Sequence, residues 1–254
     1  MKIKNIAAAA ACALSMLGFA SSAHAIPVAT ELALLVDVSG SVDSSEYSLQ
    51  KNGYINAFRD AGLHSAIASL AGGIAVTYIE WSDYNAQAPL VGWYHITDAA
   101  SSNAFADLIQ GTKRAFSGAT AVGNAIKYVT PQFASNGFEG ARKVIDVSGD
   151  GVDNDSSIDT ATARDQALAA GIDAINGLPI LAGGDFGLET WYKDNVKGGP
   201  KGFILPANSF ADFDTVVKKK IEVEVTTGDV PEPASLALML AGVAGVVAAR
   251  RRRS

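Results

Sequence analysis

Short, almost wholly apolar runs alternate along this chain with longer segments whose apolar residues recur at helical spacing. The runs Glu31–Val36 and Lys143–Val147 have the near-continuous hydrophobicity of strands that are buried on both faces of a parallel sheet. Residues 44–60 have a helical pattern instead, and Asp43 and Glu46 at its start match a capping box. The alternation predicts an α/β domain that is assembled from strand–helix units.

The same two patterns predict the remaining elements. Strands are predicted at 73–81, 89–96, 172–175 and 202–205, and helices at 103–110, 121–132, 160–170, 188–196 and 209–223. The strands 73–81 and 89–96 are separated only by a polar turn, which indicates an antiparallel pair at one edge. The predicted fold class is therefore α/β, with a doubly wound, mostly parallel sheet, one antiparallel edge strand and helices on both faces.

The start of the chain has the character of a targeting segment rather than of a fold. Its first residues are basic, residues 7–20 are apolar, and Ala23-His24-Ala25 is a small-residue cleavage site. Residues 1–25 are therefore predicted to be a cleaved secretory signal. A membrane anchor is the alternative, and the shortness of the apolar stretch argues against it.

The other end of the chain combines three features in a fixed order. A Pro-Glu-Pro triplet at 231–233 precedes an apolar segment at 234–249 and four arginines at 250–253. The apolar segment is barely long enough for a short transmembrane helix, whose Arg tail would stay on the cytoplasmic side. This order resembles the PEP-CTERM sorting signal of exopolysaccharide-making Gram-negative bacteria. The resemblance implies transient membrane insertion, cleavage by an exosortase, and delivery to the cell surface or the extracellular matrix; a permanent anchor is the alternative.

The chain thus divides into a signal at 1–25, one domain at 26–229 and a sorting signal at 230–254. Of the 20 Lys and Arg, six lie in the two terminal segments, and of the 26 Asp and Glu, one does, which leaves the domain with a net charge of −11. That charge argues against a nucleic-acid partner and favours cations. The single cysteine lies in the signal, and two histidines remain, which argues against disulfides and against a zinc cluster of Cys and His.

Side chains with oxygen donors follow two predicted strands and precede one predicted helix. Asp37, Ser39 and Ser41 come directly after the first strand, in the pattern Asp-x-Ser-Gly-Ser. Thr120 lies in a loop before a helix, and Asp150 follows another strand. Because the βα loops of a parallel sheet open at the same edge, we expect all five residues to meet there. Two carboxylates and three hydroxyls form an oxygen-only shell that suits Mg²⁺ or Mn²⁺.

The residue types and their positions on the strands and loops resemble those of the von Willebrand factor type A (VWFA) domain, which has a metal-ion-dependent adhesion site (MIDAS). The resemblance covers about residues 30–225 and implies a Rossmann-like VWFA fold. It implies that Asp37, Ser41 and Thr120 contact the metal directly or through water. Ser39 is then beside Ser41, and Asp150 is close by. Three short segments resemble an exported bacterial branch with no assigned function: 79–82, 144–151 and 175–178.

Several positions have simpler interpretations that the sequence leaves open. Thr120 could instead cap the helix that starts at Ala121. Asp150 could instead form hydrogen bonds within its own loop. Asp153 and Asp155 offer a second cation site, for example for Ca²⁺, although solvated surface charge is the expectation favoured here.

Three other groups of residues are expected to be structural. Trp81 and Trp93 lie on predicted strands, where aromatic residues usually pack in the core. His64 and His95 have no acidic or nucleophilic partner nearby in sequence. The run Lys218–Lys220 is predicted to form the solvated face of the last helix.

The function that these patterns favour is binding rather than catalysis. The hypothesis is an exported cell-surface or biofilm-matrix adhesion protein that grips a carboxylate on a protein or polysaccharide partner through its metal. The alternative enzyme is a metal-assisted hydrolase, but a phosphatase-like nucleophile at Asp37 would need a second Asp at the position of Ser39. An inert matrix component with an empty site is the third interpretation. No catalytic residue is predicted.

Overall fold

A computed structural model describes residues 25–181 and 186–226. The strands are β1 (Ile26–Asp37), β2 (Ile74–Trp81), β3 (Gln87–Ile96), β4 (Phe138–Gly149) and β5 (Ala174–Pro179). The helices are α1 (Ser44–Phe58), α2 (Ala61–Ala68), α3 (Ala99–Gly111), α4 (Val122–Val129), α5 (Thr160–Ala169), α6 (Phe186–Asn195) and α7 (Phe213–Thr226). A 3₁₀ turn, Thr130–Ala134, follows α4.

The two predicted targeting segments lie almost wholly outside this description. The signal at 1–25 is described only at its last residue, and the predicted transmembrane helix at 234–249 is not described. Among the described residues, no helix is both long and apolar enough to cross a membrane.

The five strands form one sheet in the order β3-β2-β1-β4-β5. Strand β1 lies at the centre and pairs in parallel with β2 and β4, and β4 pairs in parallel with β5. Only β3 is antiparallel, and it lies at the edge beside β2. The predicted mostly parallel sheet with one antiparallel edge strand is therefore confirmed.

The central strand β1 shows why its sequence is almost continuously apolar. Leu32, Leu34 and Val36 pack into the core layer that contains residues of α1, α2, α3 and α7. Ala33 and Leu35 pack on the opposite face, with residues of α4, α5 and α6. Successive side chains of a strand point to opposite faces, so a strand covered on both sides needs an apolar residue at every position. The doubly wound arrangement is confirmed.

Helix α1 begins where its capping box predicts, directly behind the first oxygen-rich loop. The Asp43 carboxylate accepts hydrogen bonds from the backbone amides of Ser45 and Glu46 at 2.7 and 2.9 Å, and the Glu46 carboxylate accepts one from the Asp43 amide at 2.8 Å. These bonds satisfy amide groups that the first turn of a helix leaves free. The loop that ends at Ser41 is thereby held against a fixed helix start.

Two element predictions were wrong. Helix α2 was not predicted; its start is capped by Asp60, which accepts hydrogen bonds from the amides of Gly62 and Leu63. The segment 202–205 does not form a strand and makes an isolated bridge, Ile204 with Gly177. The neighbouring amide of Phe203 is bound instead by the side chain of Asn176, at 3.0 Å. The Asn176 side chain thus takes the place of a backbone hydrogen bond between strands.

Lys220 corrects the prediction that the run Lys218–Lys220 is solvated. Lys219 is exposed and Lys218 bonds to Asp60 at 3.0 Å, but the Lys220 side chain is fully buried. Its ammonium group lies 2.5 Å from Asp146 on β4 and also contacts Glu224 one turn later on α7. Three consecutive residues of a helix point in directions that span about 200° around its axis, so the run cannot form one narrow solvated face, and Lys220 is the member that faces the sheet.

The cluster of Asp146, Lys220 and Glu224 holds two carboxylates for one ammonium group, all fully buried. Burial and, second, the neighbouring Asp146 raise the pKa of Glu224 to about 7, against the lowering effect of Lys220. The folded state therefore keeps a proton that the unfolded chain loses above its ordinary pKa of 4.5. Stability gained from that proton is complete below pH 4.5 and is lost as the pH rises towards 7.

Glu224→Gln should remove this pH dependence. We expect the free energy of unfolding of the wild type, relative to the variant, to decrease between pH 4.5 and 7, by at most about 1.4 kcal/mol per pH unit. Chemical denaturation of both proteins at a series of pH values measures the difference. A constant difference across that range would contradict the shared proton.

Candidate metal centre

The candidate site lies at the carboxyl edge of the sheet, where three loops are tied together through their backbones. The first loop follows β1, the second joins α3 to α4, and the third follows β4. The Gly40 amide of the first loop donates to the Gly118 carbonyl of the second at 2.7 Å. The Asn154 amide of the third loop donates to the Thr120 carbonyl at 2.8 Å. The loops that contain all five predicted ligands are therefore held against one another.

Four of the five predicted ligands form a continuous chain of contacts. Asp37 Oδ1 accepts a hydrogen bond from the Ser39 amide at 2.7 Å. The Ser39 and Ser41 hydroxyls are 3.1 Å apart, and Ser41 donates to Asp150 Oδ1 at 2.7 Å. Ser41 and Asp150 are separated by 109 residues in sequence. The structure thus brings Asp37, Ser39, Ser41 and Asp150 together at one end of the sheet.

The fifth predicted ligand, Thr120, lies beside the same loop. Its side chain is 5% exposed, and its hydroxyl is 3.7 Å from the point that a Cβ on Gly151 would occupy. Helix α4 has Ala121 at its N-cap, and no side chain caps it. The alternative use of Thr120 as a helix cap is therefore not found.

Asp37 is the least satisfied group of the site. It is fully buried, and its Oδ2 atom has no hydrogen-bond partner. Burial, with a smaller contribution from Asp150, raises the pKa of Asp37 to about 7, although the Ser39 hydrogen bonds and Arg114 lower it. A buried carboxylate without a compensating partner is costly. The orphaned oxygen and the surrounding oxygen donors fit a bound divalent cation.

Asp150 and its neighbour Glu46 add negative charge at the mouth of the site. Burial raises the pKa of Asp150, the Ser41 hydrogen bond lowers it, and the Glu46 carboxylate raises it again. Two ionised carboxylates close together repel each other unless a cation lies between them. The alternative that Asp150 only bonds its own loop does not describe its contact with Ser41, which joins two loops.

Arg114 supports the first loop and Glu80 joins α1 to the second loop, and neither residue was predicted from the sequence. Arg114 donates to the carbonyls of Val38 and Ser39 at 2.9 and 2.8 Å and lies 5.5 Å from the centre of the Tyr47 ring. Glu80, buried at the end of β2, accepts hydrogen bonds from the Tyr47 hydroxyl and the Ala115 amide, each at 2.8 Å. A single charged residue in the apolar run of β2 was a signal for Glu80; Arg114 had none.

Asp153 is bound by donors on its own loop and at the starts of α4 and α5, which corrects the expectation of solvated charge. Its carboxylate accepts five hydrogen bonds, from the amides of residues 123, 155 and 156 and the hydroxyls of Ser156 and Thr160. Asp155 accepts one from the Tyr84 amide at 3.1 Å. These bonds join the third loop to the start of α4. The Asp153 carboxylate is occupied by protein donors, which argues against a second cation there.

The remaining candidates have structural roles. Trp81 is fully buried in the core, and Trp93 stacks edge-on against Phe133. The rings of His64 and His95 each contact a backbone carbonyl oxygen, at 2.8 and 2.7 Å. Across 25–181 and 186–226, no group of three or more His, Cys, Asp and Glu side chains is placed to hold a metal. The candidate site is instead built from two carboxylates and three hydroxyls.

Two family models match the sequence. One is described as a protein of unknown function, DUF1194, and matches residues 27–229; the other is the PEP-CTERM protein-sorting motif and matches residues 229–253. The sorting motif implies export and a surface or extracellular location. No curated protein matches the sequence.

Solved structures share the fold at low sequence identity. Proximal thread matrix protein 1 from the mussel byssus is 16% identical, with a TM-score of 0.60 over 80% of this chain and 48% of that chain. A von Willebrand factor type A protein from Catenulispora acidiphila is 16% identical, with a TM-score of 0.54 over 78% and 43%. The pilus adhesin SpaC from Lactobacillus rhamnosus GG is 15% identical, with a TM-score of 0.56 over 78% and 30%.

This chain therefore spans less than half the length of each of these three proteins. Another structure of the mussel protein, 17% identical with a TM-score of 0.58, is described as having a zinc-occupied MIDAS motif. At these identities the likeness establishes the fold, which is that of a von Willebrand factor type A domain.

Proposed function

The chain belongs to DUF1194, a family of proteins of unknown function, and has a von Willebrand factor type A fold; on that premise we propose that it is an exported binding protein that uses a metal-ion-dependent adhesion site to grip an acidic group on a partner. Asp37, Ser39, Ser41, Thr120 and Asp150 are the residues proposed to hold the cation. Mg²⁺ or Mn²⁺ is the proposed metal, because every donor is a hard oxygen.

The observation that carries this proposal is the unpartnered Oδ2 atom of Asp37. A carboxylate that is fully buried at a strand end, with no donor on one oxygen, lacks the compensation that buried charges require. A divalent cation supplies that compensation and leaves coordination positions to water or to an incoming ligand. The neighbouring hydroxyls are placed to share in its coordination without adding charge.

The electrostatics of the edge explain why a cation is needed to recruit an acidic partner. Asp37, Glu46, Asp83 and Asp150 all lie at or beside the three loops; the Asp83 carboxylate lies against Gly118. Without metal, these carboxylates repel a carboxylate on any partner. A bound divalent cation neutralises part of that charge and gives the partner a ligand position, so binding depends on metal.

The partner class follows from the site and from the sorting signal. The proposed ligand is a protein or polysaccharide that presents a carboxylate, met at the cell surface or in the extracellular matrix. Processing by an exosortase after transient membrane insertion is proposed from the motif at 229–253. Nucleic acid is an unsuitable partner, because the domain is strongly acidic.

We propose no catalytic activity for this site. A hydrolase that uses its metal needs a general base or a nucleophile directed at the substrate. Ser39 stands two residues after Asp37, where a phosphatase-like reaction would need a second carboxylate. His64 and His95 contact backbone carbonyl oxygens of their own surroundings. The metal-assisted hydrolase remains the competing proposal, and turnover of phosphate or sugar esters would support it.

Calorimetric titration of Mg²⁺, Mn²⁺ and Zn²⁺ into the chelated protein tests the proposal, with Asp37→Asn as the variant. We expect saturable binding by the wild type that weakens by more than roughly 100-fold in the variant, because a ligand charge is lost. The metal-free stability of Asp37→Asn should equal or exceed that of the wild type, because the variant no longer buries a charge.

Two results would contradict the proposal in different ways. No saturable heat from folded wild-type protein at millimolar metal would favour the inert matrix component. Unchanged affinity in Asp37→Asn would move the cation elsewhere, and the loop with Asp153 and Asp155 would be the next region to test.

A further inference from the structure

Tyr192 on α6 has a buried hydroxyl group. None of the contacts described above explains its role. Its side chain is fully buried, and its hydroxyl has no hydrogen-bond partner. The ring fits against β5 because residue 177 is glycine; a Cβ there would lie 2.6 Å from Tyr192 Cδ1. A buried hydroxyl without a hydrogen-bond partner destabilises the folded state, so the groups nearest to it are its potential partners.

The hydroxyl lies beside the carboxylate of Asp37. A Cβ built on Gly149 would be 2.7 Å from Asp37 Oδ2 and 2.8 Å from the Tyr192 hydroxyl oxygen. Both atoms therefore converge on the same side of Gly149, at the end of β4. One is a buried donor and the other a buried acceptor, and each is without a partner.

We propose that Tyr192 is a positioning residue of the candidate site, and that its hydroxyl donates a hydrogen bond towards Asp37 Oδ2 through one water molecule. This inference rests on the proposed function, because its purpose is to hold the Asp37 carboxylate ready for a cation. A carboxylate oxygen has two lone pairs, so accepting this bond leaves it able to face a metal.

The proposed bond makes α6 part of the site. Asp37 Oδ1 is held from its own loop, by the Ser39 amide, and Oδ2 would be held from α6 on the far side of β4. Ligands of metal sites are commonly oriented by such outer contacts, and the loss of one typically costs 10–100-fold in metal affinity. Tyr192 on α6 would then contribute to how tightly the site binds its cation.

Tyr192→Phe tests this inference, because it removes one oxygen and keeps the ring. We expect Mn²⁺ affinity, measured by calorimetry, to fall at least tenfold. Tyr78→Phe is the matched control: the Tyr78 hydroxyl is also fully buried and unpartnered, but it lies on β2 in the other core layer. Its Mn²⁺ affinity should equal that of the wild type. Unchanged affinity in Tyr192→Phe, or an equal loss in both variants, would overturn the proposal.

A double-mutant cycle in chelator tests the bond without any metal. Tyr192→Phe should lower the denaturant midpoint of unfolding in the wild-type background but not in Asp37→Ala, where the buried hydroxyl has no acceptor and its removal should leave the midpoint unchanged or raise it. An equal shift in both backgrounds would overturn the bond. Absence of Mn²⁺ binding by the wild type would instead overturn the proposed function. The double-mutant cycle would still test whether Tyr192 and Asp37 are joined by a water-mediated hydrogen bond.

Discussion

Replacing Lys220 by methionine is expected to lower the free energy of unfolding by about 3–5 kcal/mol, which is the usual cost of removing one partner from a buried ion pair. Asp146 and Glu224 would remain buried beside each other with no positive charge between them. Asn176 also donates to Glu224, at 2.9 Å, but it brings no charge. Chemical denaturation near neutral pH measures the loss, which should shrink at pH 5, where protonation of Glu224 leaves only one of the two carboxylates charged.

Lys219→Met is the matched control for this prediction. It makes the same chemical change one position away on the same helix, at an exposed residue. Its effect should stay within about 0.5 kcal/mol, as for most surface substitutions. Adding Glu224→Gln to Lys220→Met should recover part of the loss, because only one buried carboxylate is then left. Equal stability of the two lysine variants would show that the buried cluster contributes nothing to folding.

Gly149→Ala should weaken the binding of Mn²⁺ at least roughly tenfold and destabilise the fold by about 1–3 kcal/mol, as overpacking does. The new Cβ would lie 2.7 Å from Asp37 Oδ2 and 3.0 Å from Asp37 Cβ. These distances are too short for carbon contacts, and the buried Asp37 side chain would have to move. Calorimetry with Mn²⁺ and denaturation in chelator measure the two effects separately.

Gly151→Ala tests whether the effect comes from the site or from the loss of any loop glycine. A Cβ at Gly151 would have Thr120 atoms as its nearest neighbours, at 3.7 and 3.8 Å, which are ordinary contact distances. We therefore expect little change in affinity or stability for Gly151→Ala. A similar loss of Mn²⁺ affinity in both variants would argue that loop mobility, and not the space around Asp37, governs binding.

Local patterns were sufficient to predict most of the fold. The alternation of apolar runs with segments of helical periodicity predicted the sheet and its antiparallel edge. The apolar runs are recognisable because a central strand that is buried on both faces is apolar at most of its positions. The capping box of Asp43 and Glu46 was visible because both partners lie within one helical turn. Helix α2 was missed, since it follows α1 almost without interruption.

The candidate site was predictable in part. Asp37, Ser39 and Ser41 are close in sequence, and the rule that ligands bind at the carboxyl edge of a parallel sheet brought Thr120 and Asp150 to them. The supporting residues were not predictable in this way. Arg114 contacts carbonyls 75 and 76 residues earlier in the chain, and Glu80 reaches Ala115, 35 residues later.

The sequence by itself therefore determined the order of the elements, the class of the sheet and the oxygen donors at its edge, because each depends on residues that are neighbours along the chain. Only the tertiary structure decided that Lys220 is buried, that the Asp153 carboxylate is bound by protein donors, and that the Tyr192 hydroxyl and Asp37 Oδ2 lie beside the same glycine, Gly149. Those outcomes depend on which side chains meet across the core. Burial and unpaired hydrogen-bonding groups are properties of such meetings, and no local pattern of residues specifies them.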